Sequence, residues 1–399
     1  VTEDVLVHRF TPFRSTVFTE MTALANATGA INLGQGFPDS DGPPELLAAA
    51  AAAIRDGHNQ YPPLAGVPAL RSAIAARRSA DYDTPYDPDT EILVTAGATE
   101  AIAATIASLV SPGEEVVVFE PYYDSYAAAI ALAGATLRPV RLRPDGHRFT
   151  FDPAELAAAV GPRTRLVLVN TPHNPTGTVL SRAELAEIAD VCRREDLLAV
   201  TDEVYEYLTY DGIQHVPLAS LPGMRERTLT ISSAGKTFNA TGWKVGWVCG
   251  PARLVAAVRT VKQYLTFAGG TPFQHAIAGA LPDVHRWVAV QRDRLSTARD
   301  TLQSALTYSG WRCFSCQGTY FLQVDARSVG YRDGTALCKD LATSAGVVAI
   351  PSSAFYADPD GGRELVRFAF CKSPSVIATA ADRLAGFATR RDESEGVPR

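Results

Sequence analysis

Short apolar runs alternate with longer stretches of helical period along most of this chain. Ile92–Thr95, Val116–Phe119, Arg165–Asn170, Leu197–Thr201, Thr228–Ile231 and Val245–Cys249 have the length and β-branched content of buried strands. Thr99–Leu109, Tyr123–Leu132 and Arg182–Arg193 carry apolar residues at helical spacing, as does Pro44–Arg55 around its alanine run. Strands separated by helices predict an α/β fold, a mostly parallel sheet covered on both faces. Asn32-Leu33-Gly34-Gln35-Gly36-Phe37-Pro38-Asp39 is too polar and too punctuated by Gly and Pro for a strand and predicts a loop. After about residue 285 the pattern changes to a long helix, Arg286–Leu306, then Gly318–Val324 and mixed elements. The expected organisation is an arm with part of a small domain (1–40), a large domain (41–285), a smaller α+β domain (286–390) and a flexible charged tail (391–399).

The 399 residues leave room for two domains and a large core. With 46% hydrophobic and 20% charged residues the composition is that of a soluble globular enzyme. No apolar run reaches the ~20 residues that cross a bilayer. Val1–Phe10 lacks a signal-peptide core, so a cytoplasmic protein is expected, with no membrane partner. A net charge of -6 argues against nucleic acid as a partner. Of six cysteines, only Cys313 and Cys316 have Cys-x-x-Cys spacing, and nothing nearby completes a zinc site. Reduced thiols and no metal are expected.

The candidate chemistry falls where the strands end. Gly97-Ala98-Thr99 follows the first strand run and opens a helix; Tyr123 follows the second. Asn174, in Asn170-Thr171-Pro172-His173-Asn174-Pro175-Thr176-Gly177, follows the third; Asp202 and Tyr205 follow the fourth; Lys236 follows the fifth. Open α/β sheets bind ligands at the carboxyl ends of their strands. Taken singly, each residue has a plain structural reading. Lys236 is a lysine in a Gly/Ser turn, Asp202 a helix N-cap, the Asn-Pro-Thr-Gly run a turn, Tyr123 a core aromatic. The arrival of five groups at one sheet edge is what singles them out.

The run Ser232-Ser233-Ala234-Gly235-Lys236, followed by Gly242-Trp243-Lys244-Val245-Gly246-Trp247, resembles the Schiff-base segment of fold type I aminotransferases, which depend on pyridoxal 5'-phosphate (PLP). The resemblance covers the chain from about residue 12 to 388, in family order. Within class I it is nearest to the kynurenine, glutamine and methionine aminotransferases and to bacterial N-succinyldiaminopimelate aminotransferases. It implies that Lys236 forms an imine with the cofactor aldehyde and then acts as general base. It implies phosphate contacts from Gly97, Ala98, Thr99, Ser233 and Lys244, ring stacking by Tyr123 and a ring-nitrogen partner in Asp202. Asn174 and Tyr205 would donate to the phenolic oxygen, and Tyr61 would reach the cofactor phosphate of a partner subunit in a homodimer. Arg367 would clamp the substrate α-carboxylate as a bidentate fork, beside the backbone of Gly36. Alone, Arg367 is a surface salt bridge on a strand and Tyr61 a turn aromatic.

The expected reaction moves an amino group from an L-amino acid to a 2-oxo acid in two half-reactions. The rival enzyme is a PLP-dependent cysteine-conjugate β-lyase using the same residues. The rival from another class is a non-catalytic binding or regulatory protein on this fold, which intact Lys236 and Asp202 oppose. Phe13, Arg14, Tyr264, Phe273, Phe355 and Tyr356 are expected at the substrate pocket; the aromatics suit a neutral or aromatic side chain, and Arg14 an acidic one.

Overall fold

The computed structural model describes residues 5–14 and 16–395, with side chains to Ala388. The last helix, Pro374–Glu395, continues through most of the expected tail, and residues 396–399 lie outside the described residues.

Seven strands form the main sheet: β1 (Ile92–Thr95), β2 (Glu115–Glu120), β3 (Thr136–Arg141), β4 (Thr164–Asn170), β5 (Leu198–Asp202), β6 (Thr228–Ser233) and β7 (Gly246–Cys249). Their order is β1-β7-β6-β5-β4-β2-β3. Only β7 runs against the others. Side chains alternate between the two faces with the period of a pleated strand. Val116 and Val118 share one cluster with Leu166, Leu168, Leu229 and Ile231, against Ile102 and Ile106 of helix Gly97–Leu109 and Val255 and Val258 of helix Ala252–Lys262. Val117, Phe119, Val167 and Val169 point the other way, onto Leu185 and Ile188 of helix Arg182–Arg194. Burial on both faces is why these strands read as continuous apolar runs.

Strand β3 was not among the expected strands. It is the sheet edge, half polar in Thr136, Arg138 and Arg141, and only its pairing with β2 makes it a strand.

A second sheet joins β8 (Arg312–Cys313), β9 (Phe321–Asp325), β10 (Ile350–Pro351) and β11 (Leu365–Ala369) in the order β8-β9-β11-β10. Its core takes Leu302 and Leu306 from the long helix Val284–Tyr308, Ile377 and Leu384 from the last helix, and Met21 and Ala25 from helix Val17–Thr28. The N-terminal helix therefore packs with the C-terminal elements. Asn32, placed in the expected loop, instead pairs with Val348 in a two-residue parallel bridge; the chain from Leu33 to Asp39 is irregular. The six cysteines are free thiols, all buried except the half-buried Cys313. Among the described residues no helix is long and apolar enough to cross a membrane.

Candidate active site

A cavity of about 350 Å³ opens at the carboxyl edge of the main sheet, where the second sheet and the Gly34–Phe37 loop close over it. It is lined by twelve of the thirteen singled-out residues: Gly36, Gly97, Ala98, Thr99, Tyr123, Asn174, Asp202, Tyr205, Ser233, Lys236, Lys244 and Arg367. The convergence follows from the strand order. Asp202 ends β5 and Ser233 ends β6; antiparallel β7 begins at the same edge, which brings Lys244 back beside them.

At one end, the helix Gly97–Leu109 presents its first turn, whose N–H groups have no partner within the helix. Gly97 has φ +78, and a Cβ there would lie 3.1 Å from Lys244 Cε, so the lysine lies directly over a bare backbone. With the Ser233 hydroxyl, this corner is donors and positive charge, a cradle for an anion. The Tyr123 ring meets Tyr126 edge-on at 5.7 Å.

In the floor, Asp202 Oδ2 accepts from the Tyr126 hydroxyl at 2.6 Å and Oδ1 from the Val204 N–H at 3.3 Å. No helix starts here, so Asp202 is not the N-cap expected of a lone aspartate; the Val204 contact closes a turn and occupies one oxygen. Burial raises the Asp202 pKa to about 6, against the pull of Tyr126 and Lys236. Asn170 holds the strand ends together: its Nδ2 donates to the Asp202 carbonyl at 2.8 Å and its Oδ1 accepts from the Asn174 N–H at 2.7 Å.

Lys236 lies in a four-residue helical turn, Ala234–Thr237, straight after β6. Its Nζ donates to the Tyr320 hydroxyl at 2.8 Å and reaches the Gly36 carbonyl at 3.3 Å. Burial lowers its pKa to about 8; nearby Cys371 and Asp202 oppose the shift, while Arg367 and Lys244 add to it.

At the far end, Arg367 of β11 is 1% exposed, so it is no surface salt bridge. Nη1 donates to Asn174 Oδ1 and Nη2 to the Gly34 carbonyl, both at 2.9 Å, while the buried Nε has no partner among the described residues. The rings of Phe321 and Phe355 lie 4.1 and 4.7 Å from its guanidinium carbon. Burial lowers its pKa to about 10. Gly36 is closely covered: an added Cβ would lie 2.5 Å from Phe321 Cζ, so the buried ring would have to move.

Tyr61 stands apart from this cavity. It is 81% exposed, with its ring edge-on to Phe267 at 5.4 Å. The six expected pocket residues also miss the lining, a correction to the sequence reading. Phe355 is buried beneath Arg367, Tyr356 packs against Gly361 and Gly362, Phe273 stacks on Trp243 and Tyr264 is exposed. Phe13 and Arg14 lie in and just after a short 3-10 turn, His8–Phe13. Aromatic character marks burial as readily as binding. The lining aromatics are instead Phe18, Phe37, Tyr123, Tyr126, Tyr205 and Phe321. Tyr126 and Tyr320 were missed because their partners are distant in sequence, and Asn170 because only its bond to Asp202, 32 residues on, ties it to the site.

The family model for "Aminotransferase class I and II" matches residues 28–384. The probable N-succinyldiaminopimelate aminotransferase DapC of Mycobacterium tuberculosis is 52% identical over 393 residues, covering 96% of this chain and 99% of that protein. The methionine aminotransferase of Escherichia coli is 44% identical, covering 93% and 95%. The solved structure of the N-succinyldiaminopimelate aminotransferase from Mycobacterium tuberculosis superposes with a TM-score of 0.94 at 53% identity, over 96% of this chain and 99% of that one. A cavity built from a half-buried amine with a buried carboxylate and guanidinium, in a chain alike along nearly its whole length, makes this protein a fold type I aminotransferase of classes I and II.

Proposed function

We propose that the cavity holds PLP and that the amino group of an L-amino acid is transferred there to a 2-oxo acid such as 2-oxoglutarate or pyruvate. The observation that carries the proposal is that the half-buried Lys236 and the buried Asp202 and Arg367 meet in one cavity. The residues fit the cofactor. The corner of Gly97, Ala98, Thr99, Ser233 and Lys244 offers only donors and positive charge to a phosphate. Among the described residues the buried Asp202 carboxyl is hydrogen-bonded only by neutral groups, and a protonated ring nitrogen would place a cation against it. Tyr123 offers a flat wall. Because Arg367 occupies the Asn174 amide oxygen, the Nδ2 donor is left for the ring's phenolic oxygen, together with the Tyr205 hydroxyl.

When bound, PLP supplies an aldehyde that condenses with amines and a ring that withdraws electrons from the substrate Cα. The chain does the rest. Arg367 orients the α-carboxylate beside the Gly36 backbone. Lys236, its pKa lowered to about 8 by desolvation, is a poised base placed to take the Cα proton and to deliver it to the carbon on the other side of the substrate nitrogen. Phe18, Phe37 and Phe321 give the substrate end an apolar wall.

The proposal includes a cytoplasmic homodimer in which Tyr61 crosses to the partner's site, and a division into a large unit (41–285) and a small one (286–390). The names of the relatives make N-succinyldiaminopimelate and methionine the first donors to try, with phenylalanine beside them. Borohydride treatment with PLP should fix the cofactor on Lys236, found by peptide mass mapping. A donor without an acceptor should then release one oxo acid per site and stop. Full turnover by Lys236→Ala would overturn the reading. Sustained pyruvate and ammonia from a cysteine conjugate, with no donor giving the one-per-site stop, would assign a lyase.

A further inference from the structure

Tyr320 lies between the Gly318 turn and β9, and it is 1% exposed. Its hydroxyl donates to the Gly36 carbonyl at 2.7 Å. A phenol has one proton to give. With that proton on Gly36, the Tyr320 oxygen faces Lys236 as an acceptor, and Nζ approaches it at 2.8 Å. The Gly36 carbonyl is a second acceptor, 3.3 Å from the same Nζ. The Tyr320 ring is itself fixed, edge-on to Tyr205 at 5.3 Å and to Phe321 at 4.9 Å.

A neutral amine has two N–H bonds and one lone pair. The two acceptor oxygens lie on one side of Nζ and only 2.7 Å from each other, so the N–H bonds lean toward that side, the nearer Tyr320 oxygen taking the stronger bond, and the lone pair turns away from them, into the cavity that Lys236 lines. We propose that Tyr320 is a positioning residue for amino transfer: it holds the Lys236 amine with its lone pair on the substrate side and ties that orientation to the Gly34–Gly36 loop. The inference rests on the reading of Lys236 as the base that moves the Cα proton. When Lys236 takes that proton, the new N–H points along the former lone pair, and the bonds to Tyr320 and Gly36 stay in place. When the proton leaves, the same geometry returns. The proton thus goes from Cα to Nζ and on, without a side chain having to turn, which is pre-organisation of the kind that lowers a barrier. The loop is held from its other end by Arg367, whose Nη2 donates to the Gly34 carbonyl. One short segment therefore aligns both the group that anchors the substrate and the group that deprotonates it.

The test uses the PLP-loaded full chain with Tyr320→Phe, which removes only the hydroxyl. The other groups acting on Lys236 are Asp202, Cys371, Arg367 and Lys244, with the Tyr205 ring beside it, and none of these changes in the variant. Borohydride should still fix PLP on Lys236 in Tyr320→Phe. The half-reaction with methionine and no acceptor should slow tenfold or more, while methionine affinity changes less than threefold. The rate difference between Cα-protonated and Cα-deuterated methionine should grow. The acid limb of the rate–pH profile should move to lower pH, because the ammonium has lost an acceptor. A fall of less than threefold, or any fall with an unchanged isotope effect and an unmoved acid limb, overturns the role of Tyr320 and leaves Lys236 standing. Failure to fix PLP on Lys236 in the wild type overturns the Lys236 reading, and the inference with it. Should Tyr320→Phe not fold, 3-fluorotyrosine placed at position 320 makes the oxygen a poorer acceptor. The half-reaction should then slow with a larger isotope effect, and an unchanged half-reaction overturns the role.

Discussion

Asp202 is a buried carboxyl whose two hydrogen-bond partners, the Tyr126 hydroxyl and the Val204 N–H, carry no charge. Burial lifts its pKa from 3.8 to about 6. Between those values the folded chain binds more protons than the unfolded one, so stability falls as pH rises through that window. The full cost above pH 6 is at most about 3 kcal/mol. Asp202→Asn should therefore melt higher than the wild type when both are free of cofactor, by more at pH 8 than at pH 5. Adding PLP should narrow or reverse the gap, and calorimetry at the two pH values checks both points. Arg367→Lys should weaken every amino-acid donor alike, because one ammonium replaces two aligned donors. The loss should be roughly 1.5–3 kcal/mol, seen as a rise in KM with PLP retained. A loss confined to one donor would place Arg367 against the side chain instead. Lys236, Asp202 and Arg367 were legible through the family resemblance of the segments that carry them, since singly each had a plain structural reading. Tyr126 and Tyr320 were not: they meet Asp202 and Lys236 across 76 and 84 residues of chain, and nothing in their own neighbourhoods announces the contact.

The turn after β5 places alternating demands on one short element. Asp202 and Tyr205 face the cavity, while Glu203 and Glu206 face away from it into a buried cluster. Arg78 Nη1 donates to both Glu203 and Glu206 at 3.0 Å, His215 Nε2 lies 3.1 Å from Glu203, and Ser232 donates to Glu206 at 2.6 Å. Burial alone would raise the Glu203 pKa, but Arg78 and His215 hold it at about 2. Arg78→Ala strips two buried carboxyls of their shared cation and should cost about 3–5 kcal/mol in denaturant unfolding. Since the same turn carries Asp202 and Tyr205, PLP affinity should drop with it; full stability in Arg78→Ala would show the cluster relaxing around another cation. Strands and helices with strong periodicity were read to within one or two residues, such as Ile92–Thr95 and Pro44–Arg55. The edge strand β3 escaped because its exposed face is polar and its partner lies elsewhere in the chain.

At the scale of the molecule, Tyr61 (81% exposed) and Tyr264 (83%) stand with Leu265 and Phe267 as large apolar side chains open on one chain. A cluster of this kind suits burial against a second copy. If Tyr61 crosses to the partner's site, mixing Lys236→Ala with Tyr61→Phe should form hybrid dimers with one site carrying both defects and one carrying neither. Activity should partly recover on mixing; none, with hybrids seen by native mass spectrometry, would keep Tyr61 within its own chain. The sequence by itself determined the class of fold, because apolar runs of strand length between helical stretches can be buried only in a covered parallel sheet. It also pointed to the sheet edge for Gly97, Tyr123, Asn174, Asp202 and Lys236, since each stands at or just past the end of a strand. Only the tertiary structure decided what those residues touch. The pairing order set Lys244 over Gly97, the second sheet carried Arg367 to Asn174, and the Gly34–Phe37 loop brought a carbonyl to Lys236. Such contacts join segments far apart in the chain. Their geometry comes from packing of whole elements, which local periodicity does not encode, and for that reason six aromatic and basic side chains expected at the pocket lie elsewhere.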